Sequence, residues 1–172
     1  MTLKEIDKKR YHRHLRAVFA GIVLALVIIS ITTSTVAIYL FSSPDVSHFL
    51  YNLAGVIFAA IVVFIILNKL RQHPYMYEVV YVWDLKQQLN RINRKVRKIE
   101  AAVKNNDKNA LIIMNFMYQG SKQLYELDDN TITMDSLINK IIFLEQRIEN
   151  SGLDLSERVY DQAMLDQFSL KD

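Results

Sequence analysis

Residues Ala17 to Phe41 read AVFAGIVLALVIISITTSTVAIYLF, without one charged side chain. As a helix these 25 residues extend roughly 37 Å at 1.5 Å per residue, more than the ~30 Å hydrocarbon core of a bilayer. A second uncharged run, Phe49 to Leu67 (FLYNLAGVIFAAIVVFIIL), has 19 residues and extends roughly 28 Å. Between the two, Ser42 to His48 holds Pro44 and serines at 42, 43 and 47, residues that turn a chain rather than continue a helix. The pattern predicts a transmembrane helical hairpin with spans at about 17–41 and 49–67. Two buried helices of a soluble core are the weaker reading, because consecutive spans this apolar would leave a small protein little polar surface. A cleaved signal peptide is disfavoured too: the apolar region is too long and no clear A-x-A site follows it.

Charge orients the hairpin. Residues 1–16 carry Lys4, Lys8, Lys9, Arg10, Arg13 and Arg16, the turn carries no Lys or Arg, and Lys69 and Arg71 follow the second span. The positive-inside rule then places both termini in the cytoplasm, and in a Gram-negative cell the membrane is the inner one. The chain divides into a basic N-terminal segment 1–16, a hairpin 17–72 and a cytoplasmic helical domain 73–172. Inside the spans, Gly55 and Ala59 have small-x-x-x-small spacing, and a hydroxyl cluster including Ser34 and Thr35 lies midway along the first span. Small residues admit close helix approach and hydroxyls hydrogen-bond across or back onto their own helix, so Ser34, Thr35, Gly55 and Ala59 are candidate packing residues. A polar pore lining is the alternative, ranked lower because no span carries a charge or a filter-like sequence.

Past the second span, Pro74 interrupts any continuous helix. Tyr75, Tyr77, Tyr81 and Trp83 follow, either at the headgroup level or in the core of the next domain; Tyr and Trp satisfy both settings. Val82, Leu85, Leu89, Ile92, Val96, Ile99 and Val103 then recur at spacings of three and four, a seam that predicts one helix from about Met76 to Lys104. Asn105-Asn-Asp107 reads as a break and a new N-cap. A second helix, about Lys108 to Glu126, is apolar nearly all round, as the central helix of a bundle is. A third runs from Met134 to about Glu149, with Thr133 as N-cap and Asn150-Ser-Gly152 as its stop. A last helix is expected after Asp154, carrying Val159, Tyr160, Met164, Leu165 and Phe168. The fold class is all-α: a two-span hairpin followed by a three- to four-helix antiparallel bundle. The seam suits intramolecular packing or a coiled-coil dimer, with short connections favouring the first.

The remaining composition mostly excludes. The chain has 172 residues, 51% hydrophobic, with no cysteine, four glycines and two prolines. That rules out a disulfide framework and thiol chemistry, and argues against a turn-rich β fold. Mean hydropathy is only +0.09 because the apolar spans are averaged with a charged remainder. The net charge of +3 likewise conceals a segment 69–104 with nine cations against three anions and a segment 105–172 with six against twelve. Arg91, Arg94, Lys95, Arg97 and Lys98 form a basic cluster on or beside the face opposite the seam. It reads as a solvated face or an intramolecular pairing surface, or as a patch for anionic lipid headgroups. Nucleic acid is disfavoured because no recognition motif accompanies the charge.

Only Gly120 and Gly152 lie outside the spans, so no phosphate-cradling Gly-rich loop is possible. His12, His14, His48 and His73 are scattered without metal spacing, and His12 and His14 read as part of the basic anchor. Asp128, Asn130 and Asp135 hint at oxygen ligands, but Thr133 and Asn139 occupy the positions where a calcium loop needs Gly and Glu. No catalytic set or cofactor site emerges, and an enzyme built on Asp128 and Asp129 is the weakest reading. The expected role is a non-enzymatic inner-membrane protein whose bundle binds a protein partner or a second copy; the alternative is a small channel or transport subunit.

Several strings together carry a resemblance: Ile6-Asp-Lys-Lys-Arg-Tyr11, Asn52-Leu-Ala-Gly-Val56, His73-Pro-Tyr-Met-Tyr-Glu-Val-Val-Tyr-Val-Trp83 and Leu127-Asp-Asp-Asn-Thr-Ile-Thr133. They resemble an uncharacterised bacterial family, domain of unknown function 3087, over nearly the whole chain. The resemblance implies a small two-span protein of Gram-negative bacteria and supplies no activity, ligand or functional residue.

Overall fold

The computed structural model describes residues 2–42, 47–150, 152 and 159–168. Among them the chain is all-α, with seven α-helices and no strand. The helices are α1 (Lys8–Phe41), α2 (Phe49–Leu70), α3 (Tyr77–Asn93), α4 (Val96–Lys104), α5 (Lys108–Leu127), α6 (Met134–Asn150) and α7 (Gln162–Asp166), with a single 3-10 turn at Pro74–Met76 before α3. Two compact units result: Ile6–Tyr81, and Met1–Glu5 with Val82–Asp172.

In the first unit, α1 begins well before the apolar run. Asp7 is its N-cap, its carboxylate accepting from the Arg10 backbone N–H at 3.0 Å. That bond is the chief reason the Asp7 carboxyl sits below its ordinary range. The basic segment is therefore helical from Lys8 onward, and α1 reaches 34 residues, roughly 51 Å. Both α1 and α2 are long and apolar enough to cross a membrane. They pack side by side and antiparallel: Tyr51 Oη donates to the Phe41 carbonyl at 2.8 Å, and farther along Ser34 Oγ donates to Asn52 Oδ1. The middle of the expected turn, residues 43–46, lies outside the described residues.

In the second unit, α5 is the central helix. Ala110 to Met114 are all buried, as are Phe116, Gly120 and Leu127, as its all-round apolar sequence predicts. Asp107 caps it by accepting from Ala110 N at 2.8 Å, and Asn106 turns the chain in the left-handed region at φ 55°. The seam residues Val82, Leu85, Leu89, Ile92 and Ile99 are buried; the isobutyl tips of Leu85 and Leu89 lie over Gly120. Gly120 thus leaves room on α5 for the side-chain tips of α3. Gly152, at φ 65°, closes α6 by donating its N–H to the Glu149 carbonyl at 3.1 Å.

Two helix boundaries differ from expectation. The helix expected from Met76 to Lys104 is broken between Asn93 and Val96, where the bonds tighten to Lys95 N–Ile92 O and Lys98 N–Lys95 O. Arg91, Arg94, Lys95, Arg97 and Lys98 are crowded into two turns, and like charges three and four apart weaken a helix. Ile92 and Ile99 stay buried on either side of the break. The last helix is only Gln162–Asp166, capped by Asp161, whose carboxylate accepts from Ala163 N at 2.9 Å. Its expected start after Asp154 lies outside the described residues.

Candidate functional site

The one buried ionic cluster among the described residues is built by the first unit from three sequence-distant pieces. Arg10 and His14 share a face of α1, one turn apart. Glu78 sits in the first turn of α3, where a carboxylate favours the helix N-terminus. Its Oε1 accepts from Arg10 Nε at 2.8 Å and its Oε2 lies 3.2 Å from His14 Nδ1. Tyr75 stacks on the His14 ring with centroids 3.9 Å apart. Glu78 and His14 are 5% and 4% exposed, a burial that costs several kcal/mol for an unpartnered carboxylate. The Arg10 guanidinium and the hydrogen-bonding His14 ring offset that cost, and Arg10 keeps half of its side chain in solvent. The cluster is a clasp joining the segment before the first apolar helix to the segment after the second.

Below the clasp a cleft of about 490 Å³ opens between α1 and α2. Ala17, Gly21 and Ala25 form its wall on α1, Val63, Ile66 and Leu70 its wall on α2, and His73, Tyr75 and Met76 its end. A methyl group placed on Gly21 would meet nothing within 4 Å, whereas one on Gly55 would come within 2.8 Å of the Ser30 carbonyl and 3.0 Å of Ser34 Cβ. The helices therefore touch at Gly55 and stand apart at Gly21. Ala59 and Ser34 are buried with Gly55; Thr35 is exposed, off this contact.

The other sequence-derived candidates are dispersed. Arg91, Arg94, Arg97 and Lys98 are exposed, while Lys95 is half-buried and donates from Nζ to the Leu165 carbonyl at 2.9 Å, at the end of α7. Tyr81 is buried; Tyr75, Tyr77 and Trp83 are exposed. Asp128 pairs with Lys86 at 3.0 Å at the end of α5, and Asp129 takes the left-handed turn position at φ 53°. No group of three or more His, Asp or Glu among the described residues is placed to hold a metal ion. A second cavity of about 570 Å³ lies over α5, lined among others by Lys86, Asn93, Tyr118 and Lys140. Burial, with the nearby Glu100 charge, pushes the Tyr118 phenol up. Burial also raises Tyr160, which stacks on Phe116 at 4.3 Å.

Sequence reasoning counted Arg10 and His14 only as part of the basic N-terminal segment, whereas both engage Glu78 and His14 is buried; it did not find Glu78 or Asn52. Asn52 had a signal, as the lone amide inside an uncharged run, where polar groups need partners. Glu78 had one as well, a single carboxylate among Tyr75, Met76, Tyr77, Val79, Val80 and Tyr81.

A family model described as "Protein of unknown function (DUF3087)" matches residues 1–165. No curated protein and no solved structure matches the chain.

Proposed function

The chain belongs to the DUF3087 family, and from that premise we propose that it is a non-enzymatic inner-membrane protein of a Gram-negative bacterium. In this reading α1 and α2 form a transmembrane hairpin with both termini cytoplasmic. The unit beginning at Val82 is then a cytoplasmic platform for a protein partner or a second copy of the chain. The observation that carries it is the apolar surface left uncovered. None of the most apolar 18-residue window of α1 is buried, and only 17% of that of α2. Phe19, Leu24 and Ile31 on one helix and Phe49, Leu50 and Phe64 on the other are all more than half exposed. Water does not tolerate contiguous apolar faces of that extent, whereas lipid does. Charge supports the orientation: six cations precede the first apolar run and two follow the second.

The platform role is supported by apolar side chains that the unit leaves in solvent. Phe143 is 72% exposed, and Ile138 and Ile142, one turn apart on α6, are exposed beside it. The channel alternative is less well supported, because the Ser34 hydroxyl is engaged by Asn52 and packed on Gly55, which is what helix association requires. The absence of cysteine makes the test direct. Single cysteines introduced as Glu5→Cys, Asp45→Cys and Lys171→Cys are labelled with an impermeant maleimide in cells with a permeabilised outer membrane. The expected result is labelling at 45 alone until the inner membrane is lysed. Labelling at 5 or 171 in intact inner membranes rejects the orientation, and recovery of the chain in the carbonate-soluble fraction rejects the anchor.

A further inference from the structure

The cavity of about 570 Å³ over α5 lies wholly within the unit beginning at Val82. Three helices turn a polar stripe towards it. Lys86, Asn90 and Asn93 come from α3, at spacings of four and three. Tyr118, Ser121 and Tyr125 come from α5 and are half-buried. Thr133, just before α6, and Ser136 and Lys140 on it complete the lining on the far side. Leu89, Met117 and Leu124 supply apolar patches between the stripes. In a bundle this small, surfaces that face one another across neighbouring helices are normally apolar. Three polar stripes converging on one concavity break that pattern together, and such breaks concentrate at functional sites. The volume falls in the range of about 300–1,000 Å³ that small-molecule sites occupy.

The sign of the lining selects the ligand. The stretch 105–172 carries six cations against twelve anions, yet the cavity is lined by two lysines and no carboxylate. Lys86 is engaged by Asp128 at 3.0 Å. Lys140 makes no ion pair or hydrogen bond among the described residues, and neither do the side-chain amides of Asn90 and Asn93. Thr133 and Ser136 bring the start of α6 to the cavity, the end of a helix that favours negative charge. Burial, with the Glu100 charge from outside the lining, raises the Tyr118 phenol, so it stays protonated and able to donate. We propose that this cavity binds a small organic phosphate, its phosphoryl oxygens held by Lys140 and Ser136 and its hydroxylated body by Asn90, Asn93 and Ser121. An ammonium, hydroxyls and a helix start offer more donors than the two oxygens of a carboxylate use, and a phosphoryl group presents three strong acceptors. The amides both donate and accept, as sugar hydroxyls do. The inference does not depend on the membrane anchor, because the cavity belongs to the second unit alone.

The test uses the full chain with isotope-labelled methionine methyl groups, read by NMR in a polyoxyethylene detergent that carries neither sugar nor phosphate. Met117 lines the cavity, whereas Met114, buried on the same helix, and Met164 on α7 do not. Adenosine monophosphate, ribose phosphate, adenosine, ribose and inorganic phosphate are titrated separately. The expected result is a saturable shift of the Met117 methyl with at least one ester while the Met164 methyl stays in place. That ester should bind about tenfold or more tightly than its neutral counterpart and than inorganic phosphate, the effect of one charge-assisted hydrogen bond. Lys140 is exposed, so Lys140→Gln leaves the fold intact; it should weaken the ester about tenfold and leave the neutral counterpart unchanged. Ser121→Leu fills the cavity and should abolish both shifts, with an unchanged Met114 methyl showing that the unit is folded. No shift with either ester overturns the proposal, as does an ester bound no better than its neutral counterpart or one indifferent to Lys140→Gln. Inorganic phosphate bound as tightly as the esters overturns it too, since a bare anion contact makes no use of the cavity.

Discussion

Glu78 is the residue on which most of the first unit's polar organisation depends. Removing its carboxylate leaves His14 buried without its acceptor and frees Arg10. Breaking a fully buried pair costs about 3–5 kcal/mol. Because Arg10 is half exposed, we expect about 1–3 kcal/mol for Glu78→Ala, with Glu78→Gln less severe since its amide oxygen still accepts a hydrogen bond. Thermal unfolding in detergent measures the loss, and faster hydrogen exchange confined to residues 8–15 would locate it. The two phenols make a second prediction. Tyr118 and Tyr160 have folded pKa values raised above the ordinary tyrosine value, so above pH 10 the unfolded chain loses these protons more readily than the folded one. Their contribution to stability is complete below pH 10 and lost as pH rises through the raised values. Spectrophotometric titration of phenolate should show a late-ionising fraction that Tyr118→Phe and Tyr160→Phe each reduce; a single transition at the ordinary tyrosine pKa would contradict it.

At the scale of elements, two glycines that look alike in sequence have opposite expected behaviour. Gly55 faces the Ser30 backbone at 2.8 Å, which cannot yield, so Gly55→Ala should cost about 1–3 kcal/mol through overpacking. Gly55→Leu together with Ala59→Leu should weaken α1–α2 association in a membrane two-hybrid assay; unchanged association removes the packing role. Gly120 faces only the flexible tips of Leu85 and Leu89 at 3.2 Å. There the helix propensity of alanine, better by about 1 kcal/mol, offsets a small adjustment, and Gly120→Ala should unfold within about 0.5 kcal/mol of the parent. The sequence disclosed α1, α2, α5 and α6 because each bears a long periodic or uniformly apolar pattern. It did not disclose the break at Arg94 and Lys95, since the seam Ile92, Val96, Ile99 keeps its spacing across it. Periodicity records which side of a helix is buried; it does not record whether the backbone bonds along it are i−4 or i−3. The clasp was illegible for another reason. A lone His and a lone Glu 64 positions apart leave no local pattern, and only the pairing of α1 with α2 brings them together.

At the scale of the molecule, the division at Tyr81 and Val82 predicts two solvents for one chain. The unit ending at Tyr81 has its large apolar side chains facing outward, whereas the unit beginning at Val82 has Leu85, Ile92, Ile99, Leu111 and Ile113 fully buried. Urea in the presence of micelles should therefore unfold the second unit first and leave the helicity of α1 and α2 in place. Leu85→Ala should lower the first transition by about 2–5 kcal/mol and leave the second unmoved. One coincident transition for both would show that they do not behave as separate units. The clasp also has a consequence in time. During synthesis His14 precedes Glu78 by 64 residues, so at roughly 5–20 residues per second it waits about 3–13 s for its partner. Through that interval Arg10 and His14 lack the Glu78 carboxylate, and under the proposed membrane reading the charge at the N-terminus is available to set the direction of insertion. Glu78 emerges only after both apolar helices have been made, and its arrival closes the hairpin at its base. In the proposed transmembrane hairpin the clasp would act as a latch on a finished topology, with orientation decided by loose charge and then fixed by one carboxylate.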